Sequence, residues 1–487
     1  MEKHIIHKVY LELNTSNVAE AQKLKENIGS FLRSDVFPLL EKQIDIINDE
    51  VPQYAIQLDK INVEITEKAI RLDNELKHTI VEAIETETQK VIKTIDDDEK
   101  TEEGVVKKRK LSYKNEHQLE TFIHFLKTGT NPWWSNESIT QLLIPKNFKK
   151  ILATRDFVPK VVRVLRDQKV RARMLNQLTR ASVKEICMAI AKESDILDIA
   201  EVEVQKIRKR PVVQQQQIWR VLLAAIVYQE PIDITTIIRT VKEAETLKKQ
   251  ATKQSPKEKE KDTKKAIQSK NQEKEAKSSQ VSEENLQQTT IDKAFIEALV
   301  NPKQDVKAPK TTPTAITTNA DAVIEGEYVQ NAGLVLVHPF LRHFFSHCGL
   351  LDEENQLKDP ERCVHLLHYI ATGKTKQVES DMVFEKFLCN IPIHESINRD
   401  ITISKKQKEQ VTNLLNAVNE NWGALQKSSH ALLQNEFLQR VGKIEKNSNG
   451  TTIQMERKAQ DILLKKLSWG LGLIRLPWKK EFIYVNW

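Results

Sequence analysis

At 487 residues the chain is long enough for about three domains, and its 39% hydrophobic share falls below the roughly 45–50% of a typical globular protein. The longest apolar run, Val221–Tyr228, is far short of the ~18–20 residues that cross a bilayer, and no apolar N-terminal core marks a signal peptide. The net charge of +7 is modest for this length and selects acidic partners only where it is concentrated.

His4–Leu13 alternates, with Ile5, Val9, Leu11 and Leu13 on one face and Lys8, Tyr10 and Glu12 on the other, which predicts a half-buried strand. Asn17 with Glu20 resembles a capping box, and Ala21, Leu24, Ile28, Phe31 and Leu32 continue as a helical stripe up to a bend at Pro38. Ile56–Ile65 alternates again with a phase slip at Asp59-Lys60, as a β-bulge makes, and a helix follows near Asn74–Ile92. Strand, helix, strand, helix gives a small α/β docking domain over residues 1–95. Asp96–Glu99 and Lys107–Lys110 then read as a charged, mobile closing segment.

From Glu116 the pattern is helical. Leu119, Phe122, Ile123 and Leu126 form one face, and Gly129 is placed to cap it. Helices of roughly ten to twenty residues, punctuated near Pro145, Pro159 and Pro211, make residues 115–241 an all-helical, solenoid-like domain without a strict repeat. Lys146–Lys184 is basic, with Lys149, Lys150, Arg155, Arg163, Arg166, Arg171 and Arg173 among its cations. Two readings stay open: a solvated helix face, or a patch for an acidic protein surface. Nucleic acid fits less well, because interleaved aromatics and a recognition motif are missing.

Residues 242–322 are a charged linker. Lys242–Thr290 is rich in Lys, Glu, Gln and Ser, with too little apolar surface to offset chain ordering, and Asn301–Thr318 carries Pro302, Pro309 and Pro313. The linker is expected to be mostly disordered, with one short helix at Ile291–Val300. Fully extended it would reach on the order of 250 Å.

Residues 323–487 read as an α+β domain nucleated by Asn331–Phe345. Gly333 can start a turn, Leu334–Val337 is ambiguous, and Pro339 suits the first turn of a helix that stacks Phe340 on Phe344 and Leu341 on Phe345. Helices are expected near Arg362–Ala371, capped by Gly373, and at Met382–Cys389, Val411–Leu425, Ser429–Arg440 and Glu456–Leu467. Asn449-Gly450 marks a hairpin turn, and Gly472–Leu476 and Glu481–Asn486 a last strand pair around Pro477. The fold class is therefore mainly α with α+β terminal modules.

Several passages carry a resemblance, in order along the chain. They are His7–Asn14; His124–Gly129 with Pro132-Trp133-Trp134; Asn331–Leu341, including Gly333, His338, Pro339 and Phe340; His365–Gly373; and Trp469-Gly470, Leu476-Pro477-Trp478 and Tyr484–Trp487. Together they resemble the tape measure proteins of bacterial contractile injection systems. The resemblance implies a role in assembling a particle in the cytoplasm, in contact with inner tube, hub, spike or baseplate proteins, with the finished particle as a later location.

Catalytic signatures are missing: the chain has no P-loop, G-x-S-x-G, H-E-x-x-H or G-x-G-x-x-G. Neither an enzyme nor a cofactor is expected. His343 with His347, and His365 with His368, have spacings that can ligate zinc, but core or surface histidines explain them more simply. Cys187, Cys348, Cys363 and Cys389 form no C-x-x-C pair and read as free buried thiols. Most tryptophans read as core anchors. Trp133-Trp134 and Trp478, the last beside Lys479-Lys480, are candidate partner contacts instead.

Three functions compete on this basis. The first is a tape measure or assembly component that helps build the tube or set its length. A chaperone or baseplate adaptor without length control is the second, and a nucleic-acid-binding helical repeat the third. An unbroken helix of this length would span roughly 730 Å, but prolines and strands divide the chain into modules, leaving the linker as its adjustable part.

Overall fold

A computed structural model describes residues 4–6, 9, 10, 12, 18–50, 54–58, 72–98, 109–194, 210, 212–228, 237–239, 241, 242, 326–447 and 450–487. They sort into two compact units. One takes its residues from Met1–Phe157, Glu325–Glu395 and Arg399–Trp487, the other from Val158–Ile324 and Ser396–Asn398. The helical region expected as a single domain over 115–241 is therefore divided after Phe157. Long-range hydrogen bonds, invisible in helical periodicity, draw its first part into the unit of the C-terminal module: the Thr140 hydroxyl donates to Asp381 Oδ2 at 3.0 Å. The expected linker, from 243 to 322, lies outside the described residues, as does its short helix at 291–300.

Near the N-terminus, helices Val18–Phe31 and Phe37–Glu50 flank a π turn over Leu32–Val36. The bend expected at Pro38 takes this form because a proline ring clashes with the carbonyl four residues back, and a wider turn just before it relieves the crowding. Val36 and Leu40 pack with Val81 of the helix Asn74–Asp98, whose first turn is capped by Asp73. Strand β1 (Tyr54–Leu58) pairs antiparallel with β2 (Arg109–Tyr113). Two expectations change here. The described residues of His4–Leu13 form no strand, and Ile5 and Val9 are exposed along with Tyr10. β2, in contrast, runs through Lys110, in the segment expected to be mobile. Strand pairing is made by backbone, so a run of cations does not forbid it. The remainder of the Ile56–Ile65 strand, with its bulge, lies outside the described residues.

The helix Lys114–Thr128 buries Leu119, Phe122, Phe125 and Leu126 completely. Gly129 then takes a left-handed conformation (φ +81°) and donates its N–H to Phe125 O at 2.8 Å. The helices that follow, Ile139–Leu142 and Pro145–Leu152, are shorter than expected, the first opened by a Ser138–Gln141 capping box. In the second unit, Val212–Tyr228 packs against Gln168–Gln177 and Arg180–Ser194, with all of Val221–Val227 buried.

The C-terminal module carries a five-stranded sheet, ordered β3 (Glu327–Val329), β4 (Gly442–Asn447), β5 (Gly450–Met455), β7 (Ile483–Asn486) and β6 (Leu473–Ile474). β5 and β7 run parallel; the other pairs are antiparallel. The hairpin and the β6–β7 pair occur where turn chemistry placed them. The parallel pair needs a crossover, and β6 with the 3₁₀ helix Ala459–Lys466 supplies it. An α-helix was expected at Glu456–Leu467, but this stretch buries no side chain and Ile462 is 67% exposed, so no apolar stripe holds an α geometry.

Leu334–Val337, ambiguous in the sequence, lies in a fully buried 3₁₀ helix over Ala332–Val337 that leads into the helix His338–His347. Ala332 N–H donates to Arg440 O at 2.8 Å, and a Cβ on Gly333 would sit 1.7 Å from Phe437 O. The next helix, Pro360–Thr372, starts on Asp359 and ends on Gly373 (φ +67°). Gly470, by comparison, has open space around it. Gly333→Ala should therefore cost more than about 3 kcal/mol or prevent folding, while Gly470→Ala stays within about 0.5 kcal/mol, both read by urea unfolding of the full chain.

Candidate functional site

Two distant family-like passages meet on the buried 3₁₀ helix. The Trp469 indole donates to Leu336 O at 3.0 Å and its ring meets Phe340 edge-on at 5.3 Å. Trp478 packs on Phe345 at 5.2 Å and donates to Leu388 O at 2.9 Å. Pro477 between them is exposed, and the Arg440 guanidinium lies over the terminal Trp487 ring at 5.6 Å. His338 turns inward, with Nδ1 2.9 Å from Val335 O, and burial holds its pKa below the usual histidine value.

Beneath this core lies a polar cluster that periodicity did not foretell. Asn331, left-handed at φ +58°, donates through Nδ2 to Glu385 Oε1 at 2.8 Å. His368 Nδ1 lies 2.9 Å from the same oxygen. Beside it, wholly buried Lys386 donates to Glu379 Oε2 at 3.2 Å and to Ile393 O at 2.6 Å. Removing one member of such a pair leaves a buried charge uncompensated, at a cost of about 3–5 kcal/mol. The cluster therefore fixes how the Asn331 turn seats on the helix Pro360–Thr372. A left-handed asparagine was the one sequence signal available, since Asn tolerates that conformation better than most residues.

The part of the chain before Val158 joins the C-terminal module through two carboxylates. Asp381 accepts from Thr140, and Glu327 is hydrogen-bonded by the Thr130 side chain. Burial raises both pKa values, while the threonine hydroxyls pull them down. Thr130 follows Gly129 and lies 3.4 Å from His124 Nε2, so the passage His124–Gly129 delivers this contact.

Trp133 is 41% exposed, whereas Trp134 tucks its ring against His117 at 4.7 Å and His124 at 6.3 Å. One ring of the pair thus faces outward. Trp478 does not: at 3% exposure it is a core anchor, and the neighbouring Lys479 turns inward to donate to Phe387 O at 2.9 Å. Among the basic candidates, Lys149, Lys150 and Arg155 are exposed in the first unit, and Arg163 and Arg166 in the second. Arg171 and Arg173 are buried, at 5% and 1% exposure, and cannot meet a partner. Arg171 instead donates through Nη1 to Leu165 O at 2.7 Å and Arg166 O at 2.9 Å, satisfying carbonyls at the end of the helix Phe157–Leu165.

The cysteines are free, three buried and Cys348 partly so; burial pushes the Cys187 thiol up to about 12 and Cys348 to about 11. His343 and His347 stand 4.0 Å apart, ring to ring, on an exposed face. Among the described residues no three His, Cys, Asp or Glu side chains gather as a metal set.

Gly333, Trp469, Trp478 and Gly373 serve in packing, backbone hydrogen bonds and capping. The chain belongs to the contractile injection system tape measure protein family, whose model matches residues 3–487. No curated protein and no solved structure matches it. Membership makes it a component of an injection particle and implies association with other tube components. No helix among the described residues is long and apolar enough to cross a membrane.

Two predictions test this geometry. A carboxyl whose folded pKa is raised stabilises most below its unfolded value and loses that contribution as pH rises through the folded value. Asp381→Asn, which keeps an acceptor for Thr140, should raise the unfolding temperature at about pH 7, with the gain shrinking toward about pH 4; thermal melts across that range measure it. Trp478→Ala should cost about 3–5 kcal/mol in urea unfolding, whereas Trp133→Ala should cost less than about 1 kcal/mol.

Proposed function

We propose that the chain is a non-enzymatic assembly component that helps build the inner tube in the cytoplasm, its first unit engaging tube and baseplate-hub proteins. The carrying observation is that family-like passages from both halves of the sequence belong to one compact unit, joined by Thr140 and Asp381. Exposed Trp133 is its candidate contact, with exposed Lys149, Lys150 and Arg155 as cations of the same unit.

Chain connectivity favours a second reading, an adaptor or chaperone that does not set length. A ruler with residues 242–318 as its scale needs separate anchors at the two ends of that stretch. Residues on both sides of 158–324 belong to the first unit, so the N-terminal and C-terminal family-like passages are held in one body, and the stretch does not set the distance between them. Removing half of 242–318 while keeping both units, then measuring tubes by electron microscopy, separates the readings. Unchanged length supports the adaptor; tubes shortened in proportion support the ruler. Normal tubes after removal of the whole chain would overturn both.

A further inference from the structure

Between the helices Phe157–Leu165 and Gln168–Gln177, the second unit turns a tight corner, and three cations lie along it. Arg163 is in the last turn of the first helix, Arg166 in the corner and Lys169 in the first turn of the second, all exposed. Cations near a helix C-terminus are usually explained by the negative end of its dipole. Here that demand is met from within, because buried Arg171 already donates to Leu165 O and Arg166 O. Arg163, Arg166 and Lys169 have no carboxylate partner among the described residues.

An aromatic ring adjoins them. Tyr228, at the end of Val212–Tyr228, is 46% exposed. Its hydroxyl donates to Arg166 O at 3.2 Å, and the Arg171 guanidinium lies 5.8 Å from its ring centroid. The ring is thus anchored through its hydroxyl at the corner's backbone while remaining nearly half exposed. Arginine with tyrosine is the composition of a protein-binding hot spot.

We propose that this corner, Arg163, Arg166, Lys169 and Tyr228, docks a carboxylate-rich surface of another protein of the injection particle, an inference that rests on the assembly role above. Guanidinium groups pair carboxylates in a two-pronged geometry, and the tyrosine supplies a rigid apolar edge at the centre of the contact. Asp167 decides against nucleic acid. It is exposed in the middle of the cations, its carboxylate held in place as the cap that accepts from Lys169 N–H at 2.8 Å. A phosphate backbone tracking across the corner would meet that fixed negative charge, whereas a protein surface can set a cation opposite it.

The test is a photo-crosslinking residue at exposed Gln168 of the full chain, in particle-producing cells. The expected product joins Gln168 to a protein segment rich in Asp and Glu. R163E/R166E/K169E should lower its yield at least ten-fold, and Tyr228→Ala by a smaller factor. Melting followed by circular dichroism checks folding; R163Q/R166Q/K169Q, which adds no charge, serves if the reversal unfolds, and should also lower the yield. A nucleic-acid adduct, a segment without acidic excess, or a yield indifferent to these variants would overturn the proposal. Those outcomes leave the assembly role standing when tubes still require the chain; normal tubes without it would remove that role instead.

Discussion

The close seating of Gly333 on the backbone of Phe437 is the constraint on which the C-terminal module depends. With no side chain at that position, the Asn331 turn can lie flat on the π turn Gln434–Leu438, and Ala332 can reach Arg440 O. Once seated, the 3₁₀ helix offers Leu336 O to Trp469 and leads into the helix carrying Phe345, against which Trp478 packs. A contact of backbone on backbone has no give, because neither side can choose another rotamer. Gly333, Trp469 and Trp478, three residues of the family-like passages, thus serve one joint.

That joint also explains the charges below it. A left-handed asparagine and a buried Lys386–Glu379 pair are both costly alone, and each is held by hydrogen bonds that use its full geometry. Polar groups of this kind specify one arrangement among many apolar packings of similar energy, at some expense in net stability.

Local chemistry was the legible part of the fold. Gly129 and Gly373 ended their helices, Pro339 opened one, and Asn449-Gly450 marked the hairpin. Each signal acts within a few residues, where backbone geometry and side-chain type are directly linked. What escaped was set by partners far along the chain. Arg171 looked like any other cation in a basic run until Leu165 O and Arg166 O claimed it, and Trp478 looked exposed only because two lysines follow it. The alternation of His4–Leu13 promised a strand that its described residues do not form, and the split after Phe157 follows from contacts no periodicity encodes.

The interrupted order of the first unit has a consequence during synthesis. Thr140 leaves the ribosome 241 residues ahead of Asp381, a delay on the order of 10–50 s at about 5–20 residues per second. The interior strand β7 is Ile483–Asn486, so its sheet cannot be completed until those residues are made. Translation thus acts as a timer, and a fragment cut short anywhere before Ile483 lacks the strand that joins β5 to β6.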